Sequence, residues 1–308
     1  MMKKIFTILL TCAATSLFAL EFYVGNVGDK EPEGGYKISN CPWGRSLHYK
    51  TDLYKMRPVT TDNIVGRGGQ TIEIDQNLNV GGITSIVSKL IYAKGKKINL
   101  RNSLSLELHQ SKVQFDDCEL KIGKHLRFTY WHKSNYGGIS TVEFNNTKAE
   151  FKGSIFCIVP VHPKVEFAGF CGPNIVLRGN SKVSFGFGAV IDEIFYEVPN
   201  RWKAKINFVL EDNKVPMLAF GGEAKVRGVD FEFNTRNAKN VKPGTYPLLT
   251  LTDKDSKFGN AKFVLNGASY NLGDSFNLGG RNAKIIMGAS PQGRDSSTAN
   301  DILLIVSK

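Results

Sequence analysis

Beyond its first twenty residues, this 308-residue chain has no apolar run approaching the ~20 residues of a membrane-spanning helix. No transmembrane segment is therefore expected. It has no C-x-x-C pair, and its five histidines, His48, His109, His125, His132 and His162, are scattered, so spacing supports no zinc site. Gly-x-Ser-x-Gly, His-Glu-x-x-His and phosphate-cradling Gly-rich loops are all missing. Serine hydrolysis, metalloprotease chemistry and nucleotide-dependent transfer are left without a motif to carry them. Nor is there an Arg-rich block or an aromatic-interleaved basic strand of the kind that nucleic-acid modules use, so no specific nucleic-acid partner is expected. No catalytic residue, metal or cofactor is assigned.

What the chain does have is glycine and phenylalanine. Its 31 glycines, 20 phenylalanines and 11% aromatic content favour strands and tight turns over helices, and 42% hydrophobic residues suffice for a real core. The formal charge of +12 would attract an anionic polysaccharide or an anionic cell surface. The lysines come one or two at a time, however, as in Lys94, Lys96 and Lys97 or Lys121 and Lys124. Such spacing also suits a solvated β surface whose charges discourage aggregation. Oligomeric state cannot be read from the sequence.

Lys3 and Lys4 precede an apolar run from Ile5 to Leu10, which resumes through Cys12, Ala13 and Ala14 and ends in Ser16-Leu17-Phe18-Ala19. A basic start, a short apolar core and a small final residue are the order of a secretory signal. Residues 1–19 are expected to be removed, although Leu17 is larger than cleavage sites prefer at that position, and Thr11 is a poor residue before a lipidated Cys12. The mature chain is expected in the periplasm, at the cell surface or outside the cell. Four cysteines then remain, Cys41, Cys118, Cys157 and Cys171, permitting two disulfides in three pairings. Cys157 and Cys171 are the first candidates for a bridge, and a buried core position is the rival reading of each.

Residues 20–69 are polar and irregular, broken by Pro32, Gly34-Gly35, Pro42 and Pro58, and read as an N-terminal cap. From about residue 70, apolar residues alternate with polar ones, as at Ile72 and Ile74, Leu104 and Leu106, and Leu120 and Ile122. Period two is the mark of half-buried strands. One stretch dissents: Ile83, Ile86, Val87, Leu90 and Ile91 have helical spacing, though β-branched residues and strand-rich flanks favour strand there. A phrase then recurs. Ser111-Lys112-Val113-Gln114-Phe115 is echoed at 140–144, 147–151, 163–167 and 181–185, with weaker copies at 224–226 and 261–263. Short strands repeated between Gly and Asn turns point to an all-β solenoid over residues 70–240, a right-handed parallel β-helix with about 20 residues per coil. The spacing of the phrase is irregular, so a β-sandwich is the alternative.

Residues 241–308 are expected to form closing β coils. Pro243-Gly244-Thr245-Tyr246-Pro247-Leu248-Leu249, then 261–267, 283–287 and 301–306, resemble the end of autotransporter-passenger-like repeat proteins. The resemblance covers about residues 180–308 and implies a β-helix displayed at, or shed from, a bacterial surface. No translocator barrel follows in this chain, which departs from that family.

Polysaccharide hydrolysis would need two carboxylates about 5–10 Å apart. Asp116-Asp117 and Asp192-Glu193 are adjacent pairs, and both read as corner residues, since strand neighbours point to opposite faces. Asp295, Asn300 and Asp301 flank a Ser-rich loop that suits calcium or plain solvent. Glu107, Glu143, Glu150 and Glu166 read as ordinary outward-facing surface. The most unusual composition is Phe128-Thr129-Tyr130-Trp131-His132 with Tyr136, where exposed rings could stack on sugars or a partner. Tyr130, Trp131 and Tyr136 are the candidate ligand contacts. The expected function is a secreted or surface-associated, non-enzymatic solenoid binding a polysaccharide or cell-surface partner. The alternatives are a β-helix polysaccharide lyase or glycoside hydrolase and a structural envelope protein.

Overall fold

An apolar residue at every second position gives a strand one apolar face, and a strand of four or five residues cannot bury that face alone. Stacking solves the problem. The computed structural model describes residues 21–24, 31–41, 43–44, 53–54, 58, 60–107, 110–129, 138–158, 172–192, 203–253, 255–289 and 300–308. These residues are all-β, with no helix among them, and their three sheets are rich in parallel pairs.

From Asn63 onward the chain gives one strand to each sheet in rotation. Sheet A takes Asn63–Arg67, Gly82–Ile86, Leu104–Glu107, Leu126–Thr129, Ile155–Ile158, Ala189–Asp192 and Ala224–Arg227. Sheet B takes Thr71–Ile74, Leu90–Lys94, Lys112–Asp116, Ile139–Asn145, Gly172–Arg178, Ala204–Asp212 and Val229–Ala238. Sheet C takes Leu78–Val80, Lys97–Leu100, Glu119–Ile122, Lys148–Phe151, Lys182–Phe185, Met217–Phe220 and Gly244–Leu251. Neighbours within each series pair parallel. These pairs do not make the antiparallel sheets of a sandwich.

The stretch with helical spacing is two strands. Gly82–Ile86 and Leu90–Lys94 flank a corner at which Val87 has φ 53°, and the two alternations on either side of that corner combine into an apparent helical period. The recurring phrase has a similar explanation. The copy at 163–167 lies outside the described residues; the others fall on all three sheets, so the step of 7 from Val142 to Ala149 is a move from sheet B to sheet C within one round. A full round is longer than the expected 20 residues in most of the chain. Ile91 lies beside Ile72, 19 residues earlier, but Val142 lies beside Val113, 29 earlier, and Val183 beside Ala149, 34 earlier. Most of the added length enters at one corner. The connection from sheet A to sheet B spans 87–89 in an early round, then 130–138, 159–171 and 193–203. The connection from sheet C to sheet A is one residue, 81, in the first round, then three in each of the next five, 101–103, 123–125, 152–154, 186–188 and 221–223.

Parallel register stacks like on like. On sheet B the inward column reads Ile72, Ile91, Val113, Val142, Ile175, Ile206, Phe231, and a second column runs through Phe115, Phe144, Leu177, Phe208 and Phe233. All are buried. Phe151 and Phe185 stack at 4.5 Å on sheet C, and Phe185 and Phe220 at 5.6 Å. Phe144 meets Phe151 edge-on at 6.3 Å, joining the two ladders across the interior. Each buried ring contributes about 1.5–3 kcal/mol, and each ring pair about 0.5–1.5 kcal/mol more.

Corners have their own chemistry. The residue leaving four successive sheet B strands is left-handed, at Gly95, Asp117, Asn146 and Gly179, and so is Asp212, the last residue of the next. These are the residue types that tolerate that conformation. Of the pair expected at a corner, Asp117 is a turn residue, whereas Asp116 ends the strand Lys112–Asp116. The small residue that opens the recurring phrase is also a corner device. Ser181 Oγ donates to Phe144 O at 2.8 Å and accepts the Thr147 N–H at 3.1 Å. Thr147 Oγ1 donates to Phe115 O and accepts the Cys118 N–H.

The rotation begins ahead of the expected boundary at residue 70. Glu21–Val24 extends sheet A, parallel to Asn63–Arg67 and antiparallel to Trp43–Gly44, and Phe22 packs edge-on against Trp43 at 6.1 Å. At the other end the parallel pattern continues only to Lys262–Leu265. The expected closing coils stop there. Asp301–Val306 instead pairs antiparallel with both Gly244–Leu251 and Arg281–Gly288.

Candidate functional site

On sheet C the tripeptides Leu78-Asn79-Val80, Ile98-Asn99-Leu100 and Leu120-Lys121-Ile122 lie side by side, followed by Ala149-Glu150-Phe151. Alternation turns the flanking apolar residues inward and sets Asn79, Asn99, Lys121 and Glu150 in one outward column. The first residue of the corner after each strand supplies a second column. Arg101 N–H donates to Val80 O at 2.9 Å, Gly123 N–H to Leu100 O at 2.7 Å, and Lys152 N–H to Ile122 O at 2.9 Å. Gly123 therefore sits between Arg101 and Lys152. A Cβ there would stand 2.2 Å from the Arg101 backbone oxygen, so only glycine fits. The gap left above it is the floor of an open groove of about 480 Å³, lined by Arg101, Lys121, Lys152, Asn79, Asn99 and Glu150, with Thr60 at one end.

Three cations thus line the groove from three successive strands, one for each strand spacing of ~4.8 Å. Among the described residues one carboxylate, Glu150, joins them. Glu150 is hydrogen-bonded by the Lys148 ammonium at 2.7 Å, which holds its carboxyl below the usual range. Lys121 lies 3.9 Å from Glu119, a loose exposed pair of small value. Arg101 and Lys152 make no ion pair with any described carboxylate. The groove can hold anionic groups on its cations and neutral hydroxyls on the amides of Asn79 and Asn99, which both donate and accept.

The chain matches no family model, no curated protein and no solved structure. No helix among the described residues is long and apolar enough to cross a membrane. Among them, too, no three His, Cys, Asp or Glu residues group as a metal site.

The other candidates fall elsewhere. Tyr130, Trp131 and Tyr136 lie outside the described residues, in the connection between Leu126–Thr129 and Ile139–Asn145, and so do Cys171, Glu166, Glu193 and Asp295. Cys157 fills an inward position of sheet A between Phe128 and Ile191 and is fully buried. Cys41 and Cys118 are buried free thiols, so neither forms a bridge. Burial pushes the Cys41 thiol up to about 12 and raises that of Cys118. Asp301 is structural: it is buried, and its Oδ1 accepts the Leu251 N–H at 2.8 Å. His125 accepts the Ser154 N–H at Nδ1 and packs edge-on against Phe156, and burial lowers its pKa.

Two of the acids expected at the surface proved special. Glu143 accepts Arg178 Nε at 3.0 Å and lies 3.3 Å from Lys112, while Arg178 also donates to Glu211 at 2.8 Å. Glu107 is not ordinary surface. It ends its strand at only 8% exposure, and burial alone pushes its carboxyl up to about 7. The groove residues themselves were missed from sequence. Their signal was the alignment of apolar-polar-apolar tripeptides 20 and 22 residues apart, visible only once a round is counted by register.

Proposed function

We propose that the chain is an exported, right-handed parallel β-helix of the autotransporter-passenger type that binds an anionic polysaccharide or cell-surface partner without chemically altering it. The observation that carries this reading is the groove on sheet C, where Arg101, Lys121 and Lys152 come from successive rounds and Glu150, already engaged by Lys148, is the one carboxylate among the described lining residues. One charged position per strand spacing suits a polymer with regularly repeated anionic groups. Among the described residues Glu150 is the one carboxylate lining the groove, and a glycosidase dyad needs two.

The right hand follows from the strong general preference for right-handed crossovers between parallel strands. A density map of the purified protein with left-handed crossovers would overturn it. Export follows from the basic-apolar-small order of residues 1–19. An intact mass of the extracytoplasmic protein lacking about 19 residues supports it, and a full-length cytosolic product removes it.

The binding test compares the native protein with the triple variant Arg101→Gln, Lys121→Gln, Lys152→Gln on immobilised acidic polysaccharide at low and high salt. The native protein is expected to bind and to release as salt rises, and the triple variant to lose most of the affinity. Equal binding by both removes this groove as the site. Shortening of the polysaccharide during the assay transfers the reading to an enzyme.

A further inference from the structure

We infer that the ligand of the sheet C groove is an acidic polysaccharide lying along the stacking direction of the strands, with one sugar ring seated on Phe187. This deepens the reading of the groove as the binding face and rests on it.

Phe187 is 65% exposed, the most exposed large apolar side chain among the described residues. Its position follows from the three-residue corner that joins sheet C to sheet A in the rounds from 101–103 to 221–223. In that corner Gly186 follows Arg101, Gly123 and Lys152 in one column, and Phe187 follows Gly153 in the next. Phe187 N–H donates to Gly153 O at 3.2 Å. Gly222 takes the same place one strand further on, where a Cβ would stand 3.4 Å from Phe187 Cα. The ring therefore has a glycine on each side along the stack, and neither neighbour carries a side chain that could cover it. Gly153 admits no Cβ either, since one would stand 2.4 Å from His125 Nδ1 and 2.6 Å from Lys124 O.

Isolated exposed apolar residues are common and need no explanation. Phe187 differs in its place, one strand spacing beyond Lys152 and in the corner column next to the one that holds Arg101 and Lys152. Aromatic faces stack on flat apolar faces, and a sugar ring presents one. A polymer alternating anionic groups with such faces engages cations and ring together. From the round of Arg101 to that of Phe187 is three strand spacings, ~14 Å. A single sugar or a disaccharide is too short to cover that span. Single-stranded nucleic acid combines charge and rings too, but the single exposed aromatic among the described residues and the asparagine amides lining the groove favour the sugar polymer.

The test uses the full mature protein, with carboxylated oligosaccharides from two to eight sugars, sulfated counterparts, neutral oligosaccharides and single-stranded DNA as separate probes in titration. Affinity for the acidic oligosaccharides is expected to rise with length until the ~14 Å span is covered and then to level off. Phe187→Ala is expected to weaken the longer ones about five- to tenfold, leaving the salt dependence unchanged, and Phe187→Trp to restore binding. Both acidic series binding, or either alone, supports the inference and tells which anionic group is read. Unchanged affinity in Phe187→Ala, with binding still lost in the Arg101/Lys121/Lys152 triple variant, overturns the ring platform and spares the groove. DNA binding tighter than every oligosaccharide overturns the ligand class. No saturable binding of any acidic probe overturns both readings.

Discussion

Glu107 offers a pH-dependent test of the fold. Its carboxyl lies at 8% exposure, and burial raises it from the ordinary 4.5 to about 7. The folded protein therefore holds this proton more tightly than the unfolded chain does. Below about pH 4.5 both states are protonated and the residue costs nothing. As the pH climbs from there through 7, the unfolded chain releases the proton freely while the folded one resists, so stability falls and then levels off. At 1.36 kcal/mol per pH unit, the gap between 4.5 and about 7 corresponds to about 3 kcal/mol at full deprotonation. Glu107→Gln keeps the shape and removes the charge. Urea unfolding of both proteins at pH 4, 6 and 8 isolates this residue, because every other titrating group is common to the pair. The variant is expected to match the parent at pH 4 and to gain up to about 3 kcal/mol over it at pH 8. A difference that stays constant across the three pH values would refute the argument.

Three further outcomes are open to the same denaturation measurements. Phe185→Ala removes a buried ring stacked on both Phe151 and Phe220 and should cost about 3–5 kcal/mol, whereas a loss under 1 kcal/mol would mean that the ladder is not holding sheet C together. Ser181→Ala strips the partner from the Thr147 N–H and the Phe144 carbonyl and should cost about 1–3 kcal/mol, with Ser181→Thr much milder. Gly123→Ala would press a methyl group to 2.2 Å from the Arg101 carbonyl and should destabilise the protein by about 1–3 kcal/mol; an unaffected midpoint would show that the corner yields.

The strands were legible in the sequence because alternation is local: Ile72 with Ile74 and Leu104 with Leu106 announce inward positions without reference to anything distant. Pairing was not legible, since the same phrase recurs on sheets A, B and C and nothing in the phrase says which. Its opening small residue passed for filler, yet the Ser181 and Thr147 hydroxyls satisfy backbone groups of the preceding round. Glu107 looked like its outward-facing counterparts, because burial depends on what lies beside a strand end rather than on the strand's own pattern. The groove was hidden for the same reason. Arg101, Lys121 and Lys152 are ordinary surface cations one at a time, and become a site only through register.

The unequal corners give the molecule a plain side and a variable side. Lengthening a connection costs little, about 0.6 kcal/mol for each doubling of a flexible loop, so long as both ends stay where the sheets need them. Rounds with 130–138, 159–171 and 193–203 between sheets A and B keep the same inward columns as rounds with three residues there. Between sheets C and A the five rounds from 101–103 to 221–223 all keep three residues, and Arg101, Gly123 and Lys152 line up there. Such a body can acquire or shed sequence along one edge while the spacing along the opposite edge works as a fixed ruler. A partner read against that ruler would be measured the same way in homologues whose lengths differ.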